Sequence, residues 1–284
     1  MFDTVAVIGL GLIGGSFALD IKKLNLCKNV LGYDINPAHC SSAERLGIAD
    51  RAFPEWNRQL SNAELVVVAV PVASMSQVIE QLYPWLSPQT ILTDVGSVKN
   101  PVLTFMEQQN FEGIHFVAGH PISGSENFGP ESARVGLFQN KKFIFTPTEN
   151  THLPSLEQLK KLWMALGSNV HEMTAELHDF IFSRVSHLPH LLAYAAIEAV
   201  GTGDTPEILG YFGAGLKDFS RIAASSPVMW ADIFLENESH LLQGIENFQK
   251  ILAKMEKAIR EKDRSALIDY LAHSKKLRDD WITS

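Results

Sequence analysis

The sequence predicts an α/β fold, a doubly wound and mostly parallel sheet, followed by an all-α domain. Three observations carry this. Strand and helix patterns alternate from Val5 to about Leu166, a glycine-rich turn joins the first strand to the first helix, and strand signals stop near Ala175, where long amphipathic helices take over. At 284 residues the chain is long for one core and comfortable for two domains. We place these at residues 1–165 and 166–284.

Val5 to Ile8 is a β-branched run that reads as a buried strand, and Gly9, Gly11 and Gly14 follow in G-x-G-x-x-G spacing ahead of a helix that opens at Leu12 and Ile13. In that pattern the first glycine permits the turn, the second lets a pyrophosphate approach the backbone, and the third lets helix and sheet lie close. Free N–H groups at the helix start favour an anion there. Val30 to Tyr33 reads as the second strand, closed by Asp34 20 residues after Gly14, where a carboxylate accepts hydrogen bonds from a ribose. The turn is therefore read as a Rossmann-like dinucleotide site, and Asp34 selects NAD over NADP by repelling a 2′-phosphate.

Asn36-Pro37 starts the next helix, which Gly47 stops. Leu65 to Val70 is a continuous apolar run ended by Pro71, as in a strand buried on both faces. Met75 to Leu86 has helical period, Thr90 to Thr93 is a strand, and Pro101 to Gln109 is a short helix. Two polar loops, Asp94 to Lys99 and Gly119 to Glu126, leave strands where such sheets bind ligands. Val70, Pro71 and Ser97, at those strand ends, complete the candidate cofactor contacts. Lys142 to Thr146 closes the domain as a strand, Leu153 to Leu166 is helical, and Val170 lies at the sheet edge.

In the helical half, Pro189 to Val200 is apolar all round, which suggests burial on every side. Asn237 to Lys262 and Arg264 to Lys276 are two more helices. A helical domain this rich in apolar faces completes its core with a second copy, so a homodimer is expected.

Hydrophobic residues at 46 % and charged residues at 20 % are ordinary for a soluble enzyme. A formal charge of −8 gives no support to nucleic-acid binding or to an anionic membrane surface. No run reaches the length of a membrane span and no signal-peptide pattern opens the chain, so a cytoplasmic protein is expected. Cys27 and Cys40 read as reduced and structural. His187 and His190 have a spacing that would suit a metal pair, but no third ligand accompanies them, so no metal is expected.

Five segments together resemble the prephenate/arogenate dehydrogenase family: Gly9 to Ser16, Asp94-Val-Gly-Ser-Val-Lys99, Gly119-His-Pro-Ile-Ser-Gly-Ser-Glu126, Ser186-His-Leu-Pro-His-Leu-Leu192, and Ser220-Arg-Ile-Ala-Ala224. They span nearly the whole chain. The resemblance implies an NAD-dependent oxidative decarboxylation of a small anionic cyclohexadienol. It makes His120 the catalytic histidine, Ser97 an active-site serine on the same hydroxyl, and Arg221 the carboxylate-binding arginine. It adds His190, Trp230 and Ser125 as substrate contacts. His187 is a supporting group or a satisfied buried histidine. Lys99 either approaches cofactor or substrate charge or is solvated, and Glu126 or Asp218 could pair with Arg221 as a gate. One departure is Leu216-Lys-Asp-Phe219, where relatives often carry an aromatic residue followed by Arg-Asp.

Two rivals remain. A β-hydroxyacid dehydrogenase would need a catalytic lysine in the helical half, where Lys217 alone stands between Lys161 and Lys250. A non-catalytic NAD sensor would leave Ser97, His120 and Arg221 without a task. Between the family's substrates, no acid is plainly placed to pair with the amine of arogenate, so prephenate is preferred, with arogenate or dual-substrate activity as the alternative.

Overall fold

The computed structural model describes residues 1–124, 127–201, 211 and 213–283. It begins with β1 (Phe2–Ile8), α1 (Leu12–Lys23), β2 (Cys27–Tyr33), α2 (Pro37–Arg45), β3 (Arg51–Phe53), β4 (Leu65–Val68), α3 (Val72–Leu82), β5 (Ile91–Asp94), α4 (Asn100–Gln108) and β6 (His115–Val117). These strands form one parallel sheet in the order β3-β2-β1-β4-β5-β6. The order reverses between β1 and β4, which opens the crevice where such sheets take dinucleotides.

Alternation along the strands feeds two cores, one on each side of the sheet. Val5, Val7, Leu65 and Val67 point into one cluster with Phe17 and Trp163. Ala6, Ile8, Val66 and Val68 point into the other with Met75 and Ile79. Both faces are therefore covered, which is why β4 reads as an unbroken apolar run. Each buried valine, leucine, isoleucine, methionine or phenylalanine side chain among them contributes about 1.5–3 kcal/mol.

The segment Lys142 to Phe145 does not extend this sheet. It is the centre of a second sheet of three short strands, β7 (Gly119–Pro121), β8 (Lys142–Phe145) and β9 (Asn169–Glu172). β7 runs antiparallel to β8, and β9 parallel to it. The chain turns from β6 into β7 through Ala118 and Gly119. A Cβ on Gly119 would lie 2.5 Å from the Phe143 ring, so only glycine lets β7 close on β8. His120 therefore lies on a strand, not in a polar loop.

Helix α5 (Leu153–Ala165) packs through the fully buried Trp163, whose ring stacks on Phe143 and meets Phe17 and Phe138. A continuous helical stretch follows, α6 (Ala175–Phe182), a π turn over Ser183–His187, and α7 (Leu188–Gly201). Pro189 has no N–H and clashes with the preceding turn of a regular helix. The wide turn, with the Leu188 N–H donating to the Ser183 carbonyl, relieves that clash. After α8 (Ala214–Ser220) and a 3-10 turn over Arg221–Ala224, α9 (Pro227–Glu236) is capped by the Ser226 hydroxyl, which accepts from the Met229 N–H.

The chain forms two compact units, Met1–Asn237 and Glu238–Ser284. The second consists of α10 (Glu238–Arg260) and α11 (Arg264–Thr283), as expected of the last two helices. Much of its apolar surface is open, including Leu242, Ile251, Leu252, Ile259, Leu271 and Trp281. Cys27 and Cys40 are free thiols. Among the described residues no helix is long and apolar enough to cross a membrane.

Candidate active site

The glycine turn sits at the β1/β4 crevice. Gly9 has φ +94°, and a Cβ there would lie 2.5 Å from the Ala69 carbonyl oxygen and 3.2 Å from Val70. Gly14 faces the Gly9 carbonyl too closely for any side chain. Gly11, by contrast, has open space where a Cβ would be, and it starts α1 with no side-chain cap and no acid in the first turn. The amides at Leu12 and Ile13 thus begin a helix whose positive end is left to an anion. Asp34, at the end of β2, is held toward this turn: its Oδ2 accepts from the Leu10 N–H (3.0 Å), and its Oδ1 accepts from the Asn36 N–H (2.9 Å). Pro71 caps the start of α3 beside the same crevice. Open space at Gly11, uncapped amides and a positioned carboxylate fit a dinucleotide.

Beyond the crevice, a buried ion pair fixes β7. Lys99 is fully buried, which removes the solvated alternative, and its ammonium pairs with the Asp94 carboxylate. Asp94 Oδ1 accepts from the Gly119 N–H (3.1 Å) and Oδ2 from the Gly96 N–H (2.8 Å), while Lys99 Nζ donates to the Gly119 carbonyl (2.7 Å). The two side chains thereby grip Gly119 from both sides, and the next residue is His120. Burial pulls the Lys99 ammonium below the usual lysine range, and the Asp94 charge opposes that pull.

His120 does not stand alone. Its Nδ1 lies 2.8 Å from His178 Nε2, and His178 Nδ1 lies 2.7 Å from Asp179 Oδ1. Asp179 also accepts from the Lys99 N–H (2.9 Å) and the Asn100 N–H (2.8 Å), so it caps α4 as well. These bonds hold its carboxyl below the usual range against the opposing cost of burial. Burial, reinforced by the cost of protonating His120 beside His178 and by the Lys99 charge, keeps His120 well below the ordinary histidine value, and His178 is lowered chiefly by burial too. Both imidazoles are neutral at pH 7. Phe182 packs edge-on against His120, its ring centre 5.1 Å away.

The network continues into the helices. Asn237 Nδ2 donates to the Asp179 carbonyl (2.8 Å) and to His187 Nδ1 (3.1 Å). His187 is buried and its edge meets Trp230. His190 stacks on Trp230 with ring centres 3.7 Å apart, and its Nδ1 donates to the Ser186 carbonyl (2.8 Å), leaving Nε2 to accept. Arg221 is near enough for its charge to help lower His190, after burial. Trp230, Val98 and Ile233 form a small core with Val72 and Tyr194, which binds α9 to the strand-end loops. Trp230 Nε1 is buried without a hydrogen-bond partner among the described residues.

His120, His187, His190, Trp230, Arg221 and Lys99 thus belong to one connected region. Ser97 lies half-buried in the turn between β5 and α4, two residues before Lys99. Asp218 and Lys217 are exposed on α8. Ser125 and Glu126 lie outside the described residues.

Comparison with known proteins adds to this geometry. The family model described as prephenate dehydrogenase, nucleotide-binding domain, matches residues 17–172, and the one described as prephenate dehydrogenase, dimerization domain, matches residues 174–273. The chain belongs to the prephenate dehydrogenase family. A prephenate dehydrogenase of Bacillus subtilis is 33 % identical over 98 % of this chain and 76 % of its own length. A cyclohexadienyl dehydrogenase of Zymomonas mobilis is 34 % identical over 98 % of this chain and 96 % of its own. The crystal structure of prephenate dehydrogenase from A. aeolicus, in complex with hydroxyphenyl propionate and NAD+, matches with a TM-score of 0.91 at 37 % identity, covering 98 % of both chains. The first family match begins at Phe17, after the glycine turn, so the turn supports nucleotide binding separately.

Sequence reasoning about this family member passed over His178, Asp179 and Asn237, and gave Asp94 no role. One local signal existed. His178 and Asp179 interrupt an apolar helical run, Leu177 to Phe182, on a stretch that needed no polar pair for solubility.

Proposed function

We propose that this chain is an NAD-dependent prephenate dehydrogenase. It converts prephenate to 4-hydroxyphenylpyruvate with release of CO2 and NADH, a step of tyrosine biosynthesis. The observation that carries the reading is His120, gripped through Gly119 and hydrogen-bonded to His178, in a chain that matches a solved prephenate dehydrogenase along its length.

NAD, when bound, takes up the hydride that leaves C4 of the ring. The chain's residues handle the remaining charge. His120 Nε2 accepts the proton of the 4-hydroxyl as the C4–H bond breaks. The C1–carboxylate bonding pair enters the ring as CO2 departs, and His120 returns the proton to the ring oxygen of the aromatic product. No net proton is consumed. Ser97 donates to the same oxygen, and Arg221 holds a substrate carboxylate through two parallel hydrogen bonds. His190, Trp230 and Ser125 contact the substrate; the orphaned Trp230 Nε1 supports that role for the tryptophan. Glu126 or Asp218 pairs with Arg221 as a gate, and His187 and Lys99 support the site from behind. Gly9, Gly11, Leu12, Ile13, Gly14, Asp34, Val70, Pro71 and Ser97 hold the cofactor.

We assign the cofactor domain to residues 1–165 and the substrate and dimerisation domain to 166–284. The open apolar faces of α10 and α11 and the match to a dimerization domain support a homodimer assembled through the helical part. A cytoplasmic protein that binds neither nucleic acid nor membrane fits the acidic charge balance.

Arogenate, or use of both substrates, is the second reading, favoured by the similarity to a cyclohexadienyl dehydrogenase. Steady-state rates with NAD and each compound separate the two. The expected result is a higher kcat/KM for prephenate; a higher value for arogenate would reverse the assignment.

A further inference from the structure

We propose that His178 and Asp179 act as a positioning pair that fixes the tautomer of His120, placing its proton on Nδ1 and its lone pair on Nε2. The inference rests on the reading of His120 as the proton acceptor and assigns two residues to supporting it.

The hydrogen bonds permit one consistent assignment of protons. Asp179 sits at the start of α4, where the Lys99 and Asn100 N–H groups both point at its carboxylate. A group receiving two amide donors is held as an acceptor, and its Oδ1 then takes the Nδ1 proton of His178 at 2.7 Å. The opposite arrangement would set a nitrogen lone pair against a carboxylate lone pair at that distance. With its proton on Nδ1, a neutral His178 presents a lone pair at Nε2. His120 Nδ1, 2.8 Å away, must therefore donate, which leaves His120 Nε2 free to accept.

A doubly protonated His178 would reverse the second bond and put the His120 proton on Nε2, where it could not accept another. That species would carry a charge at a side chain with no solvent exposure, and Lys99 brings a second positive charge to the same region. Burial disfavours it. In water, neutral histidine prefers its proton on Nε2, the useless form for this task. The pair therefore selects the minor tautomer in advance, so no reorientation is needed at the moment of proton transfer.

His178 acts through His120, so the test must read more than activity. In the intact protein without cofactor or substrate, histidine-labelled long-range ¹H–¹⁵N spectra distinguish the two tautomers, with the His120 signals assigned by their loss in His120→Asn. The expected result is an Nδ1–H form for His120 and His178 in the native chain. In His178→Phe, which keeps the buried volume, His120 should move to the Nε2–H form, and kcat should fall about 10- to 100-fold with KM for both substrates within about threefold. His178→Gln, whose side-chain carbonyl can accept from His120, should restore the Nδ1–H form and most of the rate. An Nε2–H signal for His120 in the native protein overturns the proposal, as does an unchanged kcat in folded His178→Phe. Should His178→Phe fail to fold, the native spectrum and the glutamine variant decide the matter. A normal kcat in His120→Asn would instead overturn the proton-acceptor reading and the predicted rate effect, and leave the tautomer assignment to the spectra.

Discussion

The fully buried Lys99 ammonium pairs with the Asp94 carboxylate, and together they hold both the N–H and the carbonyl of Gly119, the residue before His120. An ion pair out of reach of water is weak evidence for added stability, but removal of one partner strands the other charge. Lys99→Met should therefore lower unfolding stability by about 3–5 kcal/mol, measured by denaturant titration. Its residual folded fraction should also lose activity, because β7 loses the grip that aims His120.

Protonation sets two separate pH limits. His120 works as the neutral base, and burial holds its value well below the ordinary 6.5. The acidic limb of kcat/KM should accordingly lie well below pH 6.5, with a flat profile through neutrality. A limb centred at or above 6.5 would contradict a neutral, partly buried His120.

Stability should fall over a related range for a different reason. His187 is lowered from 6.5 to about 4, mainly by burial. Between these values the unfolded chain binds a proton that the native chain refuses, so stability is intact above pH 6.5 and declines as pH drops toward 4. The loss from this one group amounts to roughly 3 kcal/mol at most. Thermal melts across pH 4 to 7 should show the decline, and His187→Gln should flatten part of it.

Arg221 is assigned to a substrate carboxylate. A hydrogen bond to a charged group is worth about 1.5–3 kcal/mol, so Arg221→Ala should raise KM for prephenate by an order of magnitude or more and change kcat much less. KM for NAD should stay put. An unchanged prephenate KM would remove Arg221 from the site.

His120→Asn keeps a polar side chain but no base. Loss of general-base catalysis costs on the order of 10²–10⁴ in rate, so kcat should drop by that factor while NAD binding, followed by fluorescence titration, is preserved. A kcat within twofold of the native value would contradict the assignment.

Local chemistry made much of this legible in the sequence. Gly9, Gly11 and Gly14 announce their turn by spacing, and the unbroken run at β4 announces a strand covered on both faces. Three-residue strands such as β7 carry no alternation to detect, so the second sheet was hidden and His120 read as a loop residue. The partners of His120 were hidden for another reason. His178 lies far along the chain, and a pairing across that distance is set by packing of α6 against the strand ends, which no local period encodes. Lys99 shows the same limit: a lysine after a Gly-Ser turn reads equally well as near ligand charge or as solvated, and its pairing with Asp94 emerges only once the chain is folded.

The reaction proposed for this chain is the oxidation and decarboxylation of prephenate at the expense of NAD. Mixing the purified protein with NAD and prephenate and following absorbance at the NADH band tests it most directly. NADH and 4-hydroxyphenylpyruvate should form one for one. No NADH with prephenate, in a folded protein that still binds NAD, would contradict it.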